Sequence, residues 1–162
     1  MADTASSPFA ILSLIVAPAI LTNASSVLAM STSNRLARAV DRARDLARQL
    51  EGPHAVRDDN ADLRLRDLSI TEDRTFLLVR ALRSFYSALG AFATATLLSL
   101  IGAVVSRFDD GLAVRVLEIV AVIAGAVAVG ALVNGSLLLL RETTMAVDML
   151  KERSRALRAR RR

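Results

Sequence analysis

The sequence contains no cysteine and no tryptophan, and its 162 residues include one histidine, His54. The lack of cysteine excludes disulfide bonds, thiolate nucleophiles and cysteine-ligated metal sites. A Gly-rich phosphate loop, a His-Glu-x-x-His zinc motif and a Ser-His-Asp set are missing as well. Because a lone histidine in a polar loop is usually solvated, we expect no enzymatic activity, no metal site and no cofactor.

Aromatic residues are also scarce, at 4% of the chain, although the formal net charge is +5. Nucleic-acid-binding proteins usually combine a basic groove with aromatic side chains on which bases stack. The composition therefore argues against nucleic acid as a partner. Of the 21 basic residues, 20 are arginine and Lys151 is the only lysine. A positively charged cytoplasmic side of a membrane protein would explain them without nucleic acid.

Charge is almost absent from three long apolar runs, in a chain with 53% apolar residues and a mean hydropathy of +0.42. The runs lie at about residues 8–30, 85–106 and 116–140. Each is long enough to cross a bilayer, because about 20 helical residues cover roughly 30 Å. We therefore predict an all-α integral membrane protein with three transmembrane helices. A cleaved signal peptide is the alternative for the first run, but the only charge before it is the acidic Asp3.

The basic residues are distributed unequally between the segments that flank these runs. Eleven lie in residues 31–84, two in residues 107–115, eight in residues 141–162 and none before Pro8. By the positive-inside rule, the first connection and the C-terminus are cytoplasmic and the N-terminus lies outside. The predicted location is therefore the inner (plasma) membrane, which the protein crosses several times, with its C-terminus in the cytoplasm.

The helical pattern of the first run continues into the charged segment after Met30. Apolar residues recur there at steps of four and three and form a seam that consists of Leu36, Val40, Ala43, Ala47 and Leu50. We predict one helix from Pro8 to about Glu51, which ends at the sequence Gly52-Pro53.

A polar segment at residues 52–62 is predicted to be a loop, and Ser69 with Glu72 fits a capping box that starts the second helix. A further seam extends the third helix beyond the membrane and consists of Leu140, Thr143, Val147, Leu150 and Leu157. The predicted cytoplasmic helical segments are 31–51, 69–84 and 141–160, packed on one another. Together with the spans they form a single membrane domain over residues 1–162.

Two stretches carry a recognisable pattern. Residues 17–21 read Ala-Pro-Ala-Ile-Leu, and residues 33–46 read Ser-Asn-Arg-Leu-Ala-Arg-Ala-Val-Asp-Arg-Ala-Arg-Asp-Leu. The chain thereby resembles the domain of unknown function 2721 family of small bacterial membrane proteins. The resemblance implies a multi-pass bacterial membrane protein and no particular activity. Similar proteins tend to have consecutive arginines in the middle of the loop, whereas here Arg74 and Arg80 stand apart.

The first run differs from the other two in its polar content. Hydroxyl and amide side chains in hydrocarbon need partners, so this helix is expected to face protein or water. The candidate pore-lining residues are Thr22, Asn23, Ser26 and Ser33. A basic cytoplasmic mouth would follow at Arg35, Arg38 and Arg42. The resulting hypothesis is a homo-oligomeric ion channel or transport pore with the first helix innermost.

The same polar residues also fit hydrogen bonding between packed helices, with Asn134 as an interhelical polar residue and Asn23 as its partner. The protein would then be a non-conducting scaffold or signalling module that binds a partner through its cytoplasmic helices. The basic run at residues 158–162 has two interpretations as well, a topology anchor or a contact with anionic lipids of the bilayer.

Overall fold

The computed structural model describes residues 8–51, 61–108 and 111–160, with side chains except those of residues 8–15, 17, 18, 61–63, 150 and 152–160. These ranges form three α-helices and contain no strand. Helix α1 is Pro8–Glu51, helix α2 is Ala61–Val105 and helix α3 is Leu112–Arg160. The all-α prediction with three long helices is therefore confirmed for the described residues.

Helix α1 begins and ends at the residues expected from the sequence. Proline is well suited to the first turn, because its missing N–H would have no partner there, and Pro8 is the first residue of α1. The helix ends at Glu51, directly before Gly52. Residues 52–60, which include His54, lie outside the described residues.

The predicted start of the second helix is wrong. Helix α2 begins at Ala61, so Ser69 and Glu72 lie inside it and do not cap its N-terminus. The Thr71 hydroxyl donates to the carbonyl of Asp67 at 2.7 Å, as interior helical threonines commonly do. Leucine and arginine, which have high helix propensity, fill most of residues 63–68. They extend the helix beyond a capping signal that is only local.

The described residues cluster into two compact units, and each of the three helices contributes a segment to each unit. The unit boundaries follow Met30, Leu82 and Asn134, whereas the predicted boundaries between spans and extensions follow residues 30, 84 and 140. The prediction of a single membrane domain over residues 1–162 stays a prediction.

Unit 1 comprises the described residues of Met1–Met30 and Arg83–Asn134. Its buried core consists of Ala88, Phe92 and Ala128. Partly buried side chains pack against this core, namely Leu21, Ala91, Ala131 and Leu132. Small alanine side chains allow helix backbones to approach closely, which is the usual way in which helices pack in membranes.

Unit 2 comprises the described residues of Ser31–Leu82 and Gly135–Arg162. On α1, the five predicted seam residues are all half-buried, and Leu46 beside them is buried. On α3, three of the predicted seam residues are exposed, namely Leu140, Thr143 and Val147, while the side chains of Leu150 and Leu157 lie outside the described set. The buried side chain there is Glu142, so the predicted inner face of this segment of α3 is wrong.

Two helices are long and apolar enough to cross a membrane, over Arg64–Val105 and Leu112–Met149. Only 17% and 6% of their most apolar windows are buried, whereas the core helix of a soluble protein is mostly buried. The exposed side chains include Leu97 and Val104 on α2 and Val122 and Val127 on α3. These exposed apolar faces fit a membrane protein. The prediction that α1 also spans rests partly on side chains outside the described set and stays a prediction.

Candidate functional site

Unit 2 contains a row of arginines on one face of α1. Arg35, Arg38 and Arg42 follow one another at steps of three and four, so successive members project from the same side of a helix. All three line one cleft, together with Ala39. The structure thus brings together the three residues that the sequence assigned to a basic cytoplasmic mouth.

The cleft has a volume of about 450 Å³, and all three helices contribute to its lining. Helix α2 supplies Thr71 and Arg74, while α3 supplies Glu142, Thr143 and Ala146. Because Ala39 and Ala146 have the smallest side chain with a Cβ, they leave room between the charged groups. All the residues that line the cleft belong to unit 2.

Glu142 is the only acidic residue among the described residues that line the cleft, and its side chain is 4% exposed. Arg74 donates from Nε at 3.0 Å and from Nη2 at 2.6 Å, both to Oε1 of this carboxylate. Arg35 approaches the other oxygen, with Nη1 at 3.6 Å from Oε2. Each carboxylate oxygen therefore faces an arginine from a different helix. Such pairing explains why a charged residue is tolerated at a buried position of α3.

Arg38 and Arg42 are exposed and form no ion pair with a described residue. The described lining holds four guanidinium groups and one carboxylate. Because arginine stays protonated at physiological pH, the cleft carries an excess of positive charge. Its chemistry therefore suits an anion with several oxygen acceptors. Among the described residues, no group of three or more His, Cys, Asp or Glu side chains is placed to hold a metal ion.

The other candidate residues lie along α1. In unit 1, Asn23 and Ser26 are exposed and Thr22 is half-buried. The Ser26 hydroxyl donates to the carbonyl of Thr22 at 3.1 Å. In unit 2, Ser33 is exposed. Asn23 forms no hydrogen bond with a described residue, so its amide is open to an external partner.

Asn134 makes a hydrogen bond between helices, but to Ser84 rather than to Asn23. Its Nδ2 donates to Ser84 Oγ at 3.0 Å, and the Ser84 hydroxyl donates to the carbonyl of Ala131 at 2.8 Å. This short chain links α2 to α3 inside unit 1. It leaves Asn23 on α1 available for a different contact.

Three residues of these arrangements were not expected from the sequence, namely Arg74, Ser84 and Glu142. Glu142 follows the third apolar run directly, beside Arg141, and in that context an acidic residue looks like part of a solvated helix end. The one available signal was its isolation, since Glu118 and Asp148 are the nearest acidic residues on α3. That signal does not identify the arginines that contact it.

The family described as "Protein of unknown function (DUF2721)" matches residues 15–152. Since this range covers most of the chain, the protein belongs to that family. The match confirms the resemblance noted at residues 17–21 and 33–46. No curated protein and no solved structure matches the chain. The family description names no activity.

Proposed function

We propose that this family member is a multi-pass inner-membrane protein that assembles with copies of itself around the polar face of α1 and forms an ion channel or transport pore. In the proposed topology the N-terminus lies outside, the C-terminus lies in the cytoplasm, and the bilayer with its anionic lipids surrounds the spans. The observation that carries the proposal is the exposed amide of Asn23, in a unit whose α2 and α3 expose large apolar side chains.

Helix α1 also exposes apolar side chains, namely Val16, Ile20, Val27 and Met30. The feature that distinguishes it is the exposed amide of Asn23 among them. This amide supports assembly around α1. Side chains such as Leu97, Val122 and Val127 suit contact with acyl chains, because an apolar group in lipid leaves no hydrogen bond unmade. An amide facing lipid would lose its hydrogen bonds to water without replacement, at a cost of about 1–3 kcal/mol. The Asn23 face is therefore expected to meet a second copy of the chain or a water-filled path.

A symmetric oligomer satisfies both conditions with one arrangement. Three helices from a single 17.4 kDa chain are too few to enclose a conducting path, so a pore requires several copies. With α1 nearest the symmetry axis, Asn23 and Ser26 would face the path while α2 and α3 face lipid. Hydroxyl and amide groups that line such a path replace part of the hydration of a permeating solute.

A non-conducting scaffold or signalling module is the second candidate, and the hydrogen bond of Ser26 favours it. Its hydroxyl is already satisfied by the carbonyl of Thr22, so it needs no water-filled lumen. A single contact from Asn23 to another copy would then complete the face. Such hydrogen bonds between helices contribute only about 0.6 kcal/mol each on average, which is enough for a packing contact.

Planar-bilayer recording of the purified protein separates the two candidates. The pore predicts unitary currents that change when Asn23→Leu removes the amide. Ala24→Leu is the matched control, because Ala24 is the next exposed residue of α1 and offers no polar group to lose. Silence of the wild-type protein across voltage and pH, together with an oligomeric mass in detergent, would reject the pore and leave the scaffold.

A further inference from the structure

The cleft of unit 2 contains the three arginines that the pore hypothesis assigns to a cytoplasmic mouth, but its lining is complete within a single chain. We infer that it is a binding site for a phosphate-bearing anion, held by Arg38 and Arg42 together with Arg35 and Arg74. This inference does not depend on conduction or on assembly. The phosphate could belong to a soluble compound or to a lipid headgroup. Both carry a tetrahedral phosphate group whose negatively charged oxygens accept several hydrogen bonds.

The charge balance of the cleft favours an anion. Glu142 faces Arg35 and Arg74, and no other carboxylate in the described part of the chain lines the space. Arg38 and Arg42 remain without an ionic partner among the described residues, although they lie one turn apart on the same helix face. Asp41 and Asp45 lie three residues after these arginines but do not line the cleft. Within the cleft, an anion between the two arginines removes the repulsion between their like charges. The cleft therefore attracts negative charge.

The donor geometry and the volume of the cleft suit a phosphate group. A guanidinium group offers parallel N–H donors in a rigid fork, and phosphate oxygens match that fork in the same way as a carboxylate. A volume of about 450 Å³ lies within the range of small-molecule sites and exceeds the needs of a halide ion. Arginines from α1 and α2 line the same space, so one tetrahedral group has donors available from two helices.

Glu142 is a positioning residue for Arg74 and Arg35. By accepting both hydrogen bonds from Arg74 on Oε1, it fixes that side chain at the wall of the cleft before any ligand arrives. Arg35 is oriented in the same way, but by a longer contact to Oε2. Donors that are already oriented lose less conformational entropy when the ligand binds. A carboxylate in the lining also disfavours anions that cannot reach the two free arginines.

The test uses the full-length protein, purified in an uncharged detergent and a phosphate-free buffer of low ionic strength, because added salt screens such contacts. Isothermal titration calorimetry is performed with sodium pyrophosphate and with dioctanoyl phosphatidylglycerol as separate probes. Dioctanoyl phosphatidylcholine serves as the zwitterionic lipid control. Arg38→Gln/Arg42→Gln removes the two unpaired charges. Arg44→Gln/Arg48→Gln removes the same charge from exposed positions of α1 that do not line the cleft.

We expect at least one phosphate probe to bind the wild-type protein, and we expect the Arg38/Arg42 variant to weaken that binding by about tenfold or more. The Arg44/Arg48 variant should bind within about twofold of the wild type. Binding of pyrophosphate indicates a soluble ligand, and binding of phosphatidylglycerol alone indicates a lipid headgroup. The inference is overturned if neither probe binds, or if both double variants lose affinity equally. Circular dichroism of each variant shows whether its helices are intact.

Discussion

Arg74 donates two hydrogen bonds to a single carboxylate oxygen of Glu142, and these residues lie 68 positions apart in the chain, on α2 and α3. The side chain of Glu142 is 4% exposed, whereas that of Arg74 is 31% exposed. The acid is therefore shielded from water while the base remains partly solvated. This difference in exposure affects how much stability is lost when either residue is replaced.

We predict that Glu142→Ala lowers the stability of unit 2. Loss of one partner from a buried ion pair costs about 3–5 kcal/mol, but here both arginines keep part of their hydration, so we expect about 1–3 kcal/mol. Thermal unfolding in detergent, followed by far-ultraviolet circular dichroism, measures the change. Asp148→Ala is the control, because Asp148 is 68% exposed and its contact with Lys151 is long, at 4.0 Å. That change should be within about 0.5 kcal/mol of zero. Equal effects of the two substitutions would contradict the assigned role of Glu142.

Arg74→Ala and Glu142→Ala should be strongly non-additive. Once either residue is replaced, the hydrogen bonds between them are gone, and the second replacement removes little more. We expect a coupling energy of about 1–3 kcal/mol from a double-mutant cycle on thermal unfolding. Arg80→Ala in place of Arg74→Ala provides the comparison, since Arg80 is exposed on the same helix and does not line the cleft. If the stability changes of Arg74→Ala and Glu142→Ala simply add in the double variant, the contact between the two residues contributes nothing to stability.

Phe92→Ala is expected to destabilise unit 1. Phe92 is buried against Ala88 and Ala128, so the substitution leaves a cavity between α2 and α3. Phe→Ala costs about 3–5 kcal/mol in soluble cores, and we expect about 2–3 kcal/mol here because lipid lowers the transfer part of that cost. Phe76→Ala on the same helix is the control, as Phe76 is 70% exposed. The stabilities of the variants are ranked by heating each one in detergent and measuring the remaining folded protein by gel filtration. A Phe76 variant as labile as the Phe92 variant would be inconsistent with this core.

The topology prediction can be tested with single cysteines, because the chain has none of its own. Ala5→Cys should react with a membrane-impermeant maleimide in intact cells, and Arg161→Cys should react only after the membrane is opened. The physical reason is the excess of arginine in residues 31–84 and 141–162, which favours a cytoplasmic location for both segments. The opposite labelling pattern would invert the proposed orientation, and labelling of both sites from outside would exclude an odd number of spans.

The parts of the fold that could be predicted from the sequence are those set by composition along the chain. Helix α1 is the clearest example, since its apolar run, its seam and the Gly52-Pro53 stop are each recognised from one continuous stretch of the chain. The start of α2 was mispredicted because Ser69 and Glu72 form a cap only if the preceding residues are not helical. The helix propensity of residues 63–68 prevails over that local signal.

The candidate site could be predicted only where one helix supplies it. Arg35, Arg38 and Arg42 share a face because of their spacing, so the sequence indicates a basic row. The contribution of Arg74 and the burial of Glu142 depend on which faces of three helices meet, and no local pattern encodes that choice. Asn134 shows the same limit, because its need for a hydrogen-bond partner was predictable whereas the identity of that partner, Ser84, was not.

The most direct measurement of the central claim, assembly around the polar face of α1, is disulfide cross-linking in native membranes. Asn23→Cys places a thiol on the exposed face of α1, and Val122→Cys places one on α3 at a side chain that is 71% exposed and assigned to lipid. Under mild oxidation, the account predicts covalent dimers of the Asn23 variant and monomers of the Val122 variant. Dimers of the Val122 variant with none from the Asn23 variant would contradict it.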